Sequence, residues 1–329
     1  MSRLEPLKFQ PSLREKVWGT HHLELLGGRS ERRIGEAWCL HDGSRVAVGD
    51  LAGRSVASLV RKFGDRLMGP HWHPALFHRP DGPGACLGMR RDSFPIVGKL
   101  LFGAGRLSIQ VHPDNASASR LEGGVGKTEL WYVLDAAPEA RLGLGTLENL
   151  KGPRLAAVAA DGSIEGRLRW VPARAGQCVL VQAGTVHSIR GGVALCEIQQ
   201  NSDITYRLFD YGQSGLDGQR RRLQVERAVE AADTGLRPVP QELRLRATAP
   251  CRVAHVGACP YFTADLLSWS GPFLYTPDPR RCQMILIVRG YGSLNNVGFD
   301  VGDAFLIPAE AARFPANGWK VQAVRAYLP

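Results

Sequence analysis

Short apolar runs, each closed by glycine or proline nearby, recur along this chain and set the kind of fold it can adopt. Gln177–Gln182, Val193–Gln199, Ala264–Trp269, Gln283–Arg289 and Ala304–Pro308 are five of them. Each has the length of a strand, and the 38 glycines and 21 prolines supply turns between them. Many short strands with turn residues between them build a sandwich or a barrel. Helical spacing is confined to a few stretches. Ser55–Phe63 ends near Gly64, and Leu223–Ala232 is followed by Gly235. The expectation is a mainly β protein with a few short helices.

The strand rhythm occurs twice. Val171-Pro172-Ala173-Arg174-Ala175-Gly176-Gln177-Cys178-Val179-Leu180-Val181-Gln182-Ala183-Gly184 has a glycine turn, a strand and a second glycine, and Phe299–Ala309 repeats the pattern around Gly302. This pattern resembles that of cupin β-barrels, which implies two RmlC-like jelly-roll barrels. Polar, proline-bounded Pro238–Pro250 reads as a connector. The expected division is therefore a larger catalytic barrel with helical additions over 1–237, a connector over 238–250 and a smaller barrel over 251–329. Only the first copy runs on into a histidine, His187, so the second is expected to hold no metal.

Composition narrows the function classes. Of the 329 residues, 44% are apolar and 22% charged, as in globular proteins. No apolar run is long enough to span a bilayer, and the first residues lack a signal-peptide core, so the expectation is a cytoplasmic protein without a membrane partner. Seven scattered cysteines without a CxxC pair read as reduced thiols, with Cys39, Cys178 and Cys196 in strand-like runs as inert core groups. The net charge of +10 is spread along the chain, with only short clusters at Arg32-Arg33 and Arg220-Arg221-Arg222. With no recognition helix or RNA-binding aromatic signature, this balance suits a small anionic substrate rather than nucleic acid. No heptad or exposed apolar stripe calls for a partner, so a monomer or weak homodimer is expected.

One stretch carries chemistry. Leu107-Ser108-Ile109-Gln110-Val111-His112-Pro113-Asp114 alternates like a half-buried strand, which puts Gln110 and His112 on one face. An amide oxygen and an imidazole aimed at one point are half of a metal site. Gly126-Lys127-Thr128-Glu129 and Gly184-Thr185-Val186-His187 offer the rest. Taken singly, each residue is equally at home as an ordinary core or surface group. Together with Lys16-Val17-Trp18-Gly19, Gly35-Glu36-Ala37-Trp38, Phe94–Lys99 and Glu197–Tyr211, these blocks run in one order over about two-thirds of the chain. In that order they resemble the type I mannose-6-phosphate isomerases of the shorter bacterial form.

The resemblance implies a set of roles. Gln110, His112, Glu129 and His187 would hold one metal ion per chain, expected to be Zn2+, though another divalent ion is possible. The implied reaction interconverts mannose 6-phosphate and fructose 6-phosphate through a cis-enediol(ate). Lys127, Asp203 and Arg207 are the implied catalytic group, and Lys99, Lys127 and Arg207 the implied substrate contacts. Two other readings fit a cupin: a different metal-dependent enzyme (a dioxygenase, or an isomerase of a related sugar phosphate), and a non-catalytic sugar-binding protein.

Other features are weaker. The segment Leu100–Arg106 lacks the acidic loop usual in relatives, and 66–93 is unusually rich in proline, glycine and histidine. Both are expected near the barrel mouth, where they would bear on substrate preference. His71-Trp72-His73 has a spacing that could ligate metal but no partner motif. His21-His22 reads as surface, and Gly143-Leu144-Gly145 lacks the rest of a phosphate loop.

Overall fold

The computed structural model describes residues 3–70, 72, 93–243, 245 and 250–329; His71, His73 and most of the segment 66–93 lie outside them. The described residues form three antiparallel sheets. A seven-stranded sheet runs in the order Gln241–Glu242, Gln177–Val181, Glu129–Ala136, Val193–Gln200, Ile96–Gly103, Gly28–Leu40, Ser12–Leu23. A five-stranded sheet runs Tyr206–Phe209, Ile109–Val111, His187–Arg190, Arg141–Thr146, Leu168–Pro172. The eight-stranded third sheet is built from Cys251–Tyr327 together with Leu7–Phe9, which pairs with Ala304–Ile307. The protein is thus mainly β and cupin-like, as the strand rhythm implies. No described helix is long and apolar enough to cross a membrane.

Side-chain alternation explains how the layers stack. The first two sheets face each other across Trp18, Leu101, Trp131, Val133, Leu142, Leu144, Val181 and Leu195. The opposite face of the seven-stranded sheet presents Ile96, Leu100, Leu130, Cys196 and Ile198, which pack on Leu266, Met284, Leu286 and Val324 of the third sheet. The third sheet closes around its own core of Trp269, Ile285, Ile287, Phe305 and Ala323. Ile96–Gly103 is consequently buried at all eight positions, covered on both faces. The stretch Leu100–Gly103 is therefore strand rather than part of a loop before the Gln110 motif.

The repeated rhythm has a structural counterpart. Gly176 and Gly302 both take left-handed backbone, at φ 89° and 93°. Gly176 N–H donates to Val133 O, and Gly302 N–H donates to Ile287 O, both at 2.9 Å. In each copy the next strand then pairs with the strand just bonded. A side chain at either glycine would be strained.

The helices match only in part. Val56–Phe63 starts at Ser55, whose Oγ accepts the Ser58 N–H, and stops at Gly64. Val225–Ala231 lies within the expected Leu223–Ala232. Asn115–Glu122 and Pro153–Ala160 are additional. Asp114, the last residue of the Gln110 motif, caps the first by accepting the Ser117 N–H at 2.8 Å. Pro153 opens the second. Asn115–Glu122 is polar and shows little apolar periodicity, and Pro153–Ala160 is a short, alanine-rich run. Pro153–Ala160 and Val225–Ala231 cover Ile109, Val111, Val186 and Leu208 on the outer face of the five-stranded sheet.

Leu286 is fully buried between the seven-stranded and third sheets. Leu286→Ala should lower the unfolding free energy by about 2–5 kcal/mol, from lost burial plus the cavity left behind. Because this core joins the layers, urea unfolding followed by circular dichroism and by tryptophan fluorescence should remain one coincident transition.

Candidate metal centre and the charged cavity beside it

The alternation that buries apolar groups on one face places polar groups at one end of the space between the first two sheets. In Ile109–Val111 the two apolar side chains turn out to the helical layer, so Gln110 turns in. Val186 and Tyr206 likewise turn out, and their neighbours His187 and Arg207 turn in. Register brings these together, with Gln110 opposite His187 on one side and Arg207 on the other. From the facing sheet come Glu129, Lys99, Glu197 and Glu36, each flanked by residues of the outer core.

His112, Glu129 and His187 converge, with one ligand-type atom from each lying within 4.8 Å of the others. His112 Nε2 is 3.6 Å and His187 Nε2 3.5 Å from the Glu129 carboxylate. The two rings are fixed from behind. Nδ1 of His112 lies 2.8 Å from Ile204 O, and Nδ1 of His187 lies 2.8 Å from Thr185 O. A carbonyl can only accept, so each Nδ1 carries the proton and each Nε2 lone pair points inward. Burial, with Lys127 nearby, holds His112 well below the ordinary histidine pKa, and burial lowers His187 too. Both are neutral imidazoles. Trp131 packs edge-on against His187 at 5.7 Å between centroids.

Gln110 completes the group. Its Oε1 accepts from Ser108 Oγ at 2.9 Å and its Nε2 lies 3.2 Å from His187 Nε2. A serine hydroxyl accepts as readily as it donates, so a half-turn of the amide keeps the Ser108 bond and exchanges the contact to His187 Nε2 for an oxygen that a cation between them could bind. Two inward imidazole nitrogens, a carboxylate and an amide suit a divalent ion of borderline softness, and no thiolate is present. The donor set therefore fits a metal.

Beside the cluster runs a line of alternating charge. Lys16 Nζ is 3.1 Å from Glu36, and Glu36 is 3.2 Å from Lys99. Lys99 is 3.2 Å from Glu197, Glu197 is 3.3 Å from Lys127, and Lys127 is 2.7 Å from Glu129. Lys127 Nζ is also 3.1 Å from His112 Nε2. Lys16 is the partly exposed end; the other five side chains are 8% exposed or less. Ions so buried persist only when paired. Burial alone would lower Lys99 and Lys127, but their carboxylate neighbours outweigh it and keep both charged. Burial likewise opposes ionisation of Glu129, yet the Lys127 ammonium holds it well below the carboxylate range. Burial and the Glu129 charge push Glu197 the other way, up to about 7.

The loop carrying Lys127 is itself held. Its N–H donates to Pro113 O, and the Thr128 N–H donates to Gln200 Oε1, whose amide nitrogen donates to Asn115 Oδ1. Gly126 lies so close to the start of the Asn115 helix that a Cβ would stand 2.5 Å from Asn115 N. Lys127 thus reaches Glu129 from the loop before the strand, on the face expected.

Gln110, Glu129 and His187 open with Lys16, Glu36, Lys99, Glu197 and Lys127 onto one cavity of about 210 Å3, while His112 stands against them outside its lining. Asp203 and Arg207 stand at its wall with Arg221. Arg221 pairs with Asp210, whereas Arg207 has no carboxylate within 4.0 Å among the described residues. Burial and the neighbouring Arg221 charge lower Arg207. The structure thus gathers Gln110, His112, Glu129, His187, Lys127, Lys99, Asp203 and Arg207 around one space. Glu36 and Glu197 belong there as well and were not singled out from the sequence. Their signal is a carboxylate inside a locally apolar stretch, Ile34–Leu40 for Glu36 and Val193–Ile198 for Glu197. A wider depression of about 680 Å3, between Glu122 and Arg227, holds no such cluster.

A buried His–Glu–His cluster that could hold a metal, beside a cavity in a cupin-like fold, defines a β protein of the enzyme type. No family model matches the chain. It is 30% identical to the Bacillus subtilis protein named probable mannose-6-phosphate isomerase GmuF, over 95% of this chain and 96% of that one. It is 32% identical to the Streptococcus mutans mannose-6-phosphate isomerase, over 70% and 69%. Among solved structures it is similar to the B. subtilis mannose 6-phosphate isomerase, with a TM-score of 0.83 and 26% identity over 98% of this chain and 99% of that one. The chain belongs to the mannose-6-phosphate isomerase family.

Glu36 gives the charged line a pH signature. Burial would raise its carboxyl, but Lys99, Lys16 and the Trp38 indole N–H outweigh that and bring it down to about 2 from the ordinary 4.5. Its contribution, on the order of 3 kcal/mol, is complete above pH 4.5 and is lost as pH falls from there toward 2. Glu36→Gln should therefore be clearly less stable than the parent in urea at pH 7. The gap should narrow through the acid window, whereas a gap independent of pH would contradict the assignment.

Proposed function

We propose that this protein interconverts mannose 6-phosphate and fructose 6-phosphate, moving a proton between C1 and C2 through a cis-enediol(ate) and a second proton between O1 and O2. The observation that carries the reading is the single cavity onto which the metal-type cluster, Lys127 and the carboxylate-free Arg207 all open. Full-length similarity to named isomerases supports the same assignment.

Gln110, His112, Glu129 and His187 are proposed to hold the ion, zinc by the balance of nitrogen and oxygen donors, one per chain. When bound, it supplies a Lewis acid that draws charge from substrate oxygens. The protein's own groups do the rest. Arg207 is the proposed electrostatic anchor, because its planar donors match a phosphate or an enediolate edge and no carboxylate competes for them. Lys127 points its ammonium into the site between Glu129 and Glu197, placed to donate to a substrate oxygen. Asp203, at the wall, is placed to exchange a proton or orient Arg207. Lys99 stays bonded to Glu36 and Glu197 and contributes positive potential to the pocket.

The reading extends to organisation. We place the catalytic unit in 1–237 and the smaller barrel in 251–329, joined by 238–250, with Leu7–Phe9 reaching across to the smaller one. Free thiols at the described cysteines suit a cytoplasmic, monomeric or weakly dimeric enzyme.

A coupled assay for fructose 6-phosphate formed from mannose 6-phosphate should show turnover that a chelator abolishes and added zinc restores. Absence of turnover by the metal-loaded protein would sink the reading. Arg207→Ala should cut turnover by roughly 100-fold or more, the scale of losing one charge-stabilising donor. Metal content by mass spectrometry should stay unchanged in that variant, whereas His187→Ala should lose the metal as well.

A further inference from the structure

A second depression, with cationic and apolar groups in its wall, lies on the third sheet and shares no residue with the cavity beside the metal-type cluster. It encloses about 550 Å3. Register explains its shape. Arg252 pairs with Ser268, Ser268 with Gln322, and Gln322 with Arg289, so these four form one line across four strands. Residues directly opposed in a sheet share a face. The two arginines therefore stand at the ends of a line about 14 Å long, three strand spacings, over a floor of hydroxyl and amide groups.

A third cation closes the side. Lys320 is held in left-handed backbone at φ 48°, and its N–H donates to Ser270 Oγ at 2.9 Å. Gly290, next to Arg289, is what lets the Lys320 turn come so near, because a Cβ there would stand 2.7 Å from Lys320 O. Arg252, Arg289 and Lys320 are all exposed, and among the described residues none has a carboxylate within 4.0 Å. No acidic residue lines the depression. Elsewhere on this chain arginines commonly sit against carboxylates, as Arg66 does on Glu310 and Arg280 on Asp278.

We propose that this depression binds a small phosphoryl-bearing anion. Three cations with no carboxylate close by among the described residues give this depression a positive potential that attracts a multiply charged anion. Guanidinium groups grip phosphoryl oxygens in pairs, and Lys320 adds a point charge. Ser268 and Gln322 beneath them offer hydrogen bonds to ester oxygens or hydroxyls. The ligand source is either free phosphate or a phosphorylated metabolite, which share this chemistry.

The test titrates inorganic phosphate into the full-length, metal-loaded protein and follows backbone amide shifts. Amides of 252, 268, 289, 320 and 322 should move together and saturate, independently of those around Arg207. The exposed double variant Arg252→Ala/Arg289→Ala should weaken that binding at least tenfold, with turnover at saturating substrate within twofold of the parent. Glycerol 3-phosphate in a parallel titration separates the sources, the tighter of the two probes marking the class of ligand. Equal shifts with nitrate at matched ionic strength, no saturation, or binding untouched by the double substitution would each overturn the proposal.

Discussion

The structure turns on one line of buried charge. Lys16, Glu36, Lys99, Glu197, Lys127 and Glu129 alternate in sign and end at the imidazoles of the metal-type cluster. Removing a buried member takes one partner from each of its neighbours and leaves their charge less well compensated. The line therefore ties strands together as well as serving a site. Its carboxylates and ammonium groups come from Ser12–Leu23, Gly28–Leu40, Ile96–Gly103, Val193–Gln200, the loop before Glu129 and the strand Glu129–Ala136. Register at those strands has to be kept for the charges to meet: Glu197 lies opposite both Lys99 and Trp131. A slip of one residue would turn every charge out into the apolar layer behind.

That apolar layer explains why so polar a centre is tolerated. The same strands that carry charge inward carry Ile96, Leu100, Cys196 and Ile198 outward onto the third sheet. The third sheet thus seals the back of the catalytic one. Asn201 supports the arrangement from the side, its amide bonded to Asp42 and to Phe94 O, which fixes the segment leading to Asp203 and Arg207.

Much of this was legible in the sequence, for identifiable reasons. Period-two alternation located Gln110 and His112 on one face, and the strand rhythm around Gly176 and Gly302 marked two related units. The ligand set as a whole came from the family resemblance, because nothing in the spacing links His187 to Gln110 across 77 positions. Glu36 and Glu197 escaped notice since a glutamate in a strand ordinarily faces water. Only its position in a run buried on both faces betrays it. The Asn115–Glu122 helix was missed because its sequence, NASASRLE, offers a cap at Asp114 but hardly an apolar stripe. The anion-type depression on the third sheet depends on pairing between four separate strands, which no local pattern records.

The short strand Leu7–Phe9 has a consequence for how the chain is made. Its hydrogen-bonding partner is Ala304–Ile307, with Leu7 facing Leu306. On the ribosome this strand emerges well ahead of Ala304–Ile307 and must wait for that strand before it can pair. The outer apolar face of the seven-stranded sheet waits equally long for the third sheet to cover it. Contacts of such sequence separation form slowly and leave apolar surface open meanwhile. Completion of the fold is thereby coupled to synthesis of the third sheet. A chain stopped short of Ala304–Ile307 would display both an unpaired strand edge and a bare hydrophobic face, the features that folding chaperones and proteases engage.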